Sequence, residues 1–161
     1  MNKTELNSDL FIYSLLYPIN ERIKDWDLAP LAGKGLFHKH LSTAYLALRI
    51  YPSLEAEQAG TYVIWNVPDH PVVEVHPAYK ADIEQNLVFF VRYIAALRGE
   101  VIQLTFEINE LAFDETCTRH HPFKAAAFYA LVNCFGHELS PFSSESVGVL
   151  KQRNALYSSP R

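Results

Sequence analysis

The stretch that decides the fold runs from Ala78 to Asn109, AYKADIEQNLVFFVRYIAALRGEVIQLTFEIN. Its apolar residues fall at Ile83, Leu87, Phe90, Ile94, Leu97, Val101, Leu104, Ile108 and Leu111, in alternating steps of four and three. That spacing is the seam of a long buried helix. A second signal overlaps it. From Ile102 to Asn109, apolar Ile102, Leu104, Phe106 and Ile108 alternate with polar Gln103, Thr105, Glu107 and Asn109, the mark of a half-buried strand. Gly99 follows Leu97 and Arg98 in the place where glycine ends a helix. Val101, Ile102, Thr105, Phe106 and Ile108 favour a strand over a helix. The reading is therefore a helix over about 78–98 and a strand over about 101–108. One continuous helix over 79–113 is the alternative.

Working outward, Thr61 to Val67 is rich in β-branched and aromatic residues, and Pro68, Asp69, His70 and Pro71 make a turn before Val72-Val73-Glu74-Val75. This predicts a hairpin over 61–76. An isolated hairpin is marginal in water, so it needs the strand at 101–108 beside it. Before it, apolar spacing predicts a helix from Glu5 to Tyr17 that stops at Pro18, and a short helix from Asn20 to Trp26. Asp27 to Gly35 reads as a loop. A third helix is predicted from Lys34 to Tyr51, with Leu36, Phe37, Leu41, Ala44, Tyr45, Leu48 and Ile50 on its apolar face and Pro52 as its stop. After the sheet, Leu111 to His121 is a loop or short helix. Phe123 to His137 is a helix with Pro122 in its first turn, and Ser143 or Ser144 caps a last helix to about Leu156. The tail frays from about residue 157. The expected fold is α+β: five to six helices on a small, mainly antiparallel sheet. The alternative is a mostly α bundle with one hairpin.

At 161 residues the chain is one ordinary domain. Apolar residues make up 49 % and charged residues 20 %, which argues against disorder. No run of eighteen apolar residues occurs, so no membrane partner is expected. Glu5 and Asp9 precede the first apolar segment and no small-residue cleavage site follows, so the expected location is the cytoplasm. The formal charge of −4 is unevenly placed. Glu55, Glu57, Asp69 and Glu74 fall in a stretch without Lys or Arg, as do Glu100, Glu107, Glu110, Asp114 and Glu115. Nucleic-acid binding needs a cationic footprint, and the sequence has none. Acids sharing a face would steer a basic protein instead. Solvated faces that keep a domain soluble are the plainer account of the same residues.

The two cysteines carry the sharpest chemical pattern. Cys117-Thr118-Arg119-His120 and Cys134-Phe135-Gly136-His137 each place a histidine three residues after a cysteine. Zinc takes thiolate and imidazole tetrahedrally, and an i,i+3 pair on a helix sets two ligands on one side. The order differs from the usual two cysteines followed by two histidines. Cys134 is equally at home as a small core residue, and His137 as a cation at a helix C-terminus. His38 and His40, two apart on the predicted third helix, would point to opposite sides. Gly33-Lys34-Gly35 lacks the spacing of a P-loop. His121-Pro122-Phe123 resembles the opening of the Fic/Doc motif. The acidic residue, Gly-Asn pair and basic residue that follow there are replaced by Lys124-Ala125-Ala126-Ala127, so no anion nest forms and no catalytic role carries over.

Three readings follow. The first is a soluble protein-binding module, similar in composition to small immunity proteins and secretion chaperones, that occludes a basic partner through an acidic surface. Its contact residues would be Glu107, Glu110, Asp114, Glu115, Asp69 and His70, with Trp65 or Tyr79 as aromatic anchors. The second is a zinc protein or metal-dependent enzyme using Cys117, His120, Cys134 and His137, with His121 nearby. No other cofactor is expected. The third is a homo-oligomeric structural subunit that buries the apolar flank of the 78–98 helix across a two-fold axis.

Overall fold

The computed structural model describes residues 16–39, 42–53, 60–67, 77–115, 122–136 and 144–157. They form an α+β fold of one mixed four-stranded sheet and four α-helices. In chain order, a 3-10 turn (Tyr17–Ile19) leads into α1 (Asn20–Lys24), β1 (Leu31–Lys39), β2 (Ser42–Pro52), β3 (Tyr62–Trp65), α2 (Pro77–Arg98), β4 (Leu104–Glu115), α3 (Pro122–Cys134) and α4 (Ser144–Tyr157). The strand order is β1-β2-β4-β3. The β1–β2 and β2–β4 pairings are antiparallel; β3–β4 is parallel.

The conflict between residues 78 and 109 resolves as helix then strand. Gly99 adopts φ +67°, the left-handed conformation that glycine enters without a Cβ penalty, and its N–H donates to Ala95 O at 2.9 Å. The 79–113 helix is thereby excluded. Ile83, Leu87, Phe90 and Ile94 are buried as their spacing requires. The strand begins at Leu104 and runs seven residues past the predicted end, to Glu115. It takes up the start of the expected 111–121 loop; residues 116–121 lie outside the described residues. Parallel strands cannot be joined by a tight turn, so the 22-residue α2 serves as the crossover between β3 and β4.

The expectation of five to six helices fails at Lys34–Tyr51, and with it the 27–35 loop. That segment is the β1–β2 pair, in register from Leu31↔Ile50 to Lys39↔Ser42. The cause lies in burial. β2 is central and covered on both faces: Ala44, Leu46, Leu48 and Ile50 enter the main core, while Tyr45 and Ala47 pack with Ala112, Val147 and Leu150. A strand buried on both sides loses its alternation, and its apolar run then imitates a helix. Gly33 and Gly35, which read as loop residues, are strand positions against α3. A Cβ on either would stand 2.1 Å from a carbonyl oxygen of that helix, Ala130 O or Ala126 O. Pro18 lies in the 3-10 turn that follows Leu16 and leads into α1. Asn20 does not cap α1; its Oδ1 accepts a hydrogen bond from the Tyr93 hydroxyl. Of the predicted 61–76 hairpin, Tyr62–Trp65 is a described strand, and it pairs in parallel with β4. Residues 68–76, and residues 5–15 of the helix predicted from Glu5 to Tyr17, lie outside the described residues.

The layers set up two unequal sheet faces. The inner face, with α2 and α3 against it, carries the large core that includes Leu46, Leu48, Ile50, Leu104, Phe106, Ile108, Phe90 and Phe123, each worth about 1.5–3 kcal/mol when fully buried. Arg98 ties α2 to the end of α1 through three carbonyls, those of Ile23, Lys24 and Trp26. Asn86 donates to Lys124 O at 2.7 Å and joins α2 to α3. Among the described residues, the outer face is covered by α4 over Tyr45, Ala47 and Ala112. No helix among the described residues is long and apolar enough to cross a membrane.

Candidate functional site

The outer face is organised by a β-bulge in β4. Pairing with β2 runs Leu48↔Ile108 and then Ala47↔Glu110, which leaves Asn109 without a partner. The extra residue shifts the phase of the strand. Before it, Leu104, Phe106 and Ile108 point into the core; after it, Leu111 and Phe113 do. The alternate residues point outward. Glu107, Glu110 and Asp114 therefore share one face, although an unbroken strand would send Glu110 and Asp114 to the side opposite Glu107.

Each carboxylate has company there. Glu107 accepts from the Tyr51 hydroxyl at 2.7 Å and lies 3.8 Å from the Arg49 guanidinium. The bond to Glu107, with a smaller contribution from burial, raises the Tyr51 hydroxyl above its ordinary pKa. Glu110 Oε2 accepts from Tyr45 at 2.7 Å and from Lys151 of α4 at 2.7 Å, and the Lys151 ammonium also sits 5.5 Å above the Tyr45 ring. The ammonium in contact with Glu110 holds its carboxyl below the usual range. Partial burial opposes this, and the Tyr45 hydroxyl and the more distant Lys34 add to the lowering. Burial, then the bond to Glu110, push the Tyr45 hydroxyl far up. At neutral pH the pair is a fixed carboxylate and a fixed phenol. Neither is poised to exchange a proton, since a general acid or base works best with its pKa near the working pH.

Beside this trio lies an open cleft of about 830 Å³. Its floor is formed by the small residues Ala32 and Ala47 of the sheet, and one wall by Val147, Gly148 and Lys151 of α4. Lys34, Asn109, Glu110 and Asn133 supply its polar groups. The Asn133 amide donates to Lys34 O at 2.7 Å across the edge of β1, and Asn66 donates to Asn109 Oδ1 at 2.7 Å beside the bulge. Tyr62 and Ile64 of β3 continue the outer face beyond the cover of α4, 39 % and 42 % exposed.

The structure thus brings Glu107, Glu110 and Asp114 together. Glu115 ends the same strand, and Asp69 and His70 lie outside the described residues. The face is not purely acidic, because Arg49, Lys34 and Lys151 are interleaved with the acids. Tyr79 is no surface anchor: it is buried edge-on against Phe113, at 5.9 Å. Trp65 is half-buried, with the Lys80 ammonium 5.6 Å from its ring centre. Val88, 46 % exposed, is the large apolar side chain that α2 turns to solvent.

Of the zinc quartet, Cys134 alone is described; Cys117, His120 and His137 are not, and neither is His121. Cys134 is buried at the end of α3, its Sγ 2.7 Å from where a Cβ on Gly33 would stand, and burial pushes its thiol pKa far up. His38 lies on β1, its Nδ1 2.6 Å from Thr43 Oγ1. His38 lies on a strand and not on a helix, so the helical reason for separating it from His40 lapses; His40 lies outside the described residues.

Tyr45, Lys151, Lys34 and the cleft escaped sequence reasoning. The partners of Glu110 are 65 and 41 residues away in the chain, and no local pattern marks them. The bulge did leave a trace, in the switch of apolar positions from even numbers up to Ile108 to odd numbers at Leu111 and Phe113. The sequence matches no protein-family model and no curated protein.

Proposed function

We propose that the chain is a protein-binding module that docks on a basic protein through the outer face of β3 and β4 and acts by occluding that partner. The observation that carries this reading is the bulge at Asn109, which costs β4 one residue of pairing and sets Glu107, Glu110 and Asp114 on one face. Such a device re-aims side chains at a place of use. The exposed Tyr62 and Ile64 beside Glu107 supply apolar area next to charge, the mixture found where charged pairs rim a contact. The interleaved Arg49 and Lys151 give the face a pattern of both signs, which selects a partner more sharply than acidity alone. The fixed protonation states of Tyr45 and Glu110 suit recognition better than catalysis.

The test compares the chain with its Glu107→Lys/Asp114→Lys variant as immobilised bait, at about 50 mM and about 500 mM salt. The expected result is a protein of positive net charge that the unaltered chain retains at low salt, releases at high salt, and that the variant does not retain. Equal retention by both baits, or no retention by either, refutes the proposal.

A further inference from the structure

The cleft between α4 and the sheet holds features that a protein-docking face does not require. Ala47 lies between Lys34 and Glu110 in the cross-strand row, by the pairings Lys34↔Ala47 and Ala47↔Glu110. Ala47 is itself covered by Val147 and Leu150 of α4, and the open part of the cleft lies beside it, over the exposed Ala32. The wall opposite contains Gly148, in the interior of α4, where glycine costs a helix about 1 kcal/mol relative to alanine. Among the described residues nothing accounts for it: a Cβ at Gly148 would have no atom within 4 Å, and its φ is not left-handed. Gly33 and Gly35, by contrast, are each explained by a helix pressed against them. A glycine without an internal reason, lining a cleft, is what close approach of a ligand to the backbone calls for.

The charges in the cleft do not balance. Lys151 is neutralised by Glu110 at 2.7 Å. Lys34 contributes to holding the Glu110 carboxyl down but has no ion pair within 4.0 Å among the described residues, so one positive charge is left over. The volume, about 830 Å³, falls in the range of about 300–1,000 Å³ typical of small-molecule sites.

We propose that this cleft binds a small organic carboxylate. Its anionic end pairs with Lys34, and its apolar body lies over the exposed Ala32 against the Gly148 backbone. The occupied cleft lies beside Glu110, yet the site does not depend on the docking of a protein partner, so each can fail while the other stands.

The probe is benzoate, with benzamide as its neutral counterpart of the same shape. Amide chemical shifts of the full chain are followed during titration. Benzoate is expected to shift the amides of Ala47, Glu110, Val147 and Gly148 saturably, and benzamide to bind at least tenfold more weakly. Lys34→Gln, a surface change that leaves the core untouched, is expected to weaken benzoate at least tenfold, and Gly148→Leu to abolish the saturable shifts by filling the cleft. The Lys34→Gln result stands by itself should Gly148→Leu disturb α4. No saturable shift with benzoate, shifts centred elsewhere, equal affinity for benzamide, or undiminished binding to Lys34→Gln each overturns the proposal.

Discussion

The contact between β1 and α3 supports a quantitative prediction from one chemical change made at two places. Gly35→Ala adds a methyl group whose carbon would stand 2.1 Å from Ala126 O and 2.5 Å from Ala130 N. Both are backbone atoms of a helix and cannot rotate away. To restore 3.4 Å, the near limit of ordinary van der Waals contact, α3 must retreat from β1 by more than an ångström. A gap of about 0.5–1 Å forfeits a quarter to a half of each dispersion contact across it. That interface includes Ala126, Ala127, Ala130 and Leu131, all fully buried, so the loss is distributed over the best-packed part of the core. The expected cost is about 3 kcal/mol or more, the upper end for overpacking. Gly148→Ala adds the same methyl to an open helix position, where propensity favours alanine by about 1 kcal/mol. The two variants are thus expected to differ by about 4 kcal/mol with opposite signs.

Urea unfolding followed by circular dichroism measures this. With a slope of about 2 kcal/mol/M, Gly35→Ala should lower the midpoint by about 1.5 M or more and Gly148→Ala should raise it by about 0.5 M. The reasoning is refuted if Gly35→Ala unfolds within about 0.3 M of the unaltered chain with an unchanged slope, or if both variants shift in the same direction.

Further outcomes are expected. Gly99→Ala, forced into φ +67° with no atom within 4 Å of the new Cβ, should lose about 1–2 kcal/mol from backbone strain alone, and Gly99→Asn visibly less, in the same unfolding assay. Deleting Asn109 would turn Glu110 inward and Leu111 outward, so the shortened chain should lack the cooperative thermal transition, whereas Asn109→Gly should keep it. Glu110 has a folded pKa below its unfolded value of about 4.3, so its contribution is present above that pH and is lost as pH falls through the folded pKa. Lys151→Met removes the main cause of the lowering and should flatten the acid limb of stability against pH, an effect kept small by the exposure of both side chains. In a Cys117→Ser chain, Cys134 should react with a thiol reagent at neutral pH only after unfolding, because it is buried and its thiol is held protonated. Zinc held by Cys117, His120, Cys134 and His137 would need the Cys134 thiol deprotonated against its burial; that reading predicts one zinc per chain by elemental analysis and a stability loss with chelator, and a metal-free chain indifferent to chelator removes it.

The break at Gly99 was legible because two local signals agreed: a glycine after a basic residue, and a change of apolar period from 3.6 to 2. The buried residues of α2 and the 104–108 part of β4 followed from the same pattern, while Val101, 92 % exposed, falls before the strand instead of opening it. The β1–β2 pair was not legible for the opposite reason. Its identity depends on what covers each face of β2, which is decided by α3 and α4, elements 70 or more residues further along the chain. Gly33 and Gly35 gain their meaning from α3 as well. A glycine read locally is a flexible link; set against a helix backbone it is the only residue that fits.

The acids of β4 stood between these extremes. Their clustering was plain in the sequence, but alternation alone would have split them between the core and solvent. What places them together is the unpaired Asn109, and the same residue turns Leu111 and Phe113 inward. One insertion therefore serves stability and surface at once: it keeps the apolar side chains of both halves of β4 in one core while collecting Glu107, Glu110 and Asp114 outside. Glu110 then meets Tyr45 and Lys151, and α4 is fixed to the outer face by an ion pair as well as by Val147 and Leu150. Loss of the bulge would unfasten α4 along with the acidic face. For that reason a substitution at Asn109 that preserves chain length tests the surface, and only a deletion tests the fold.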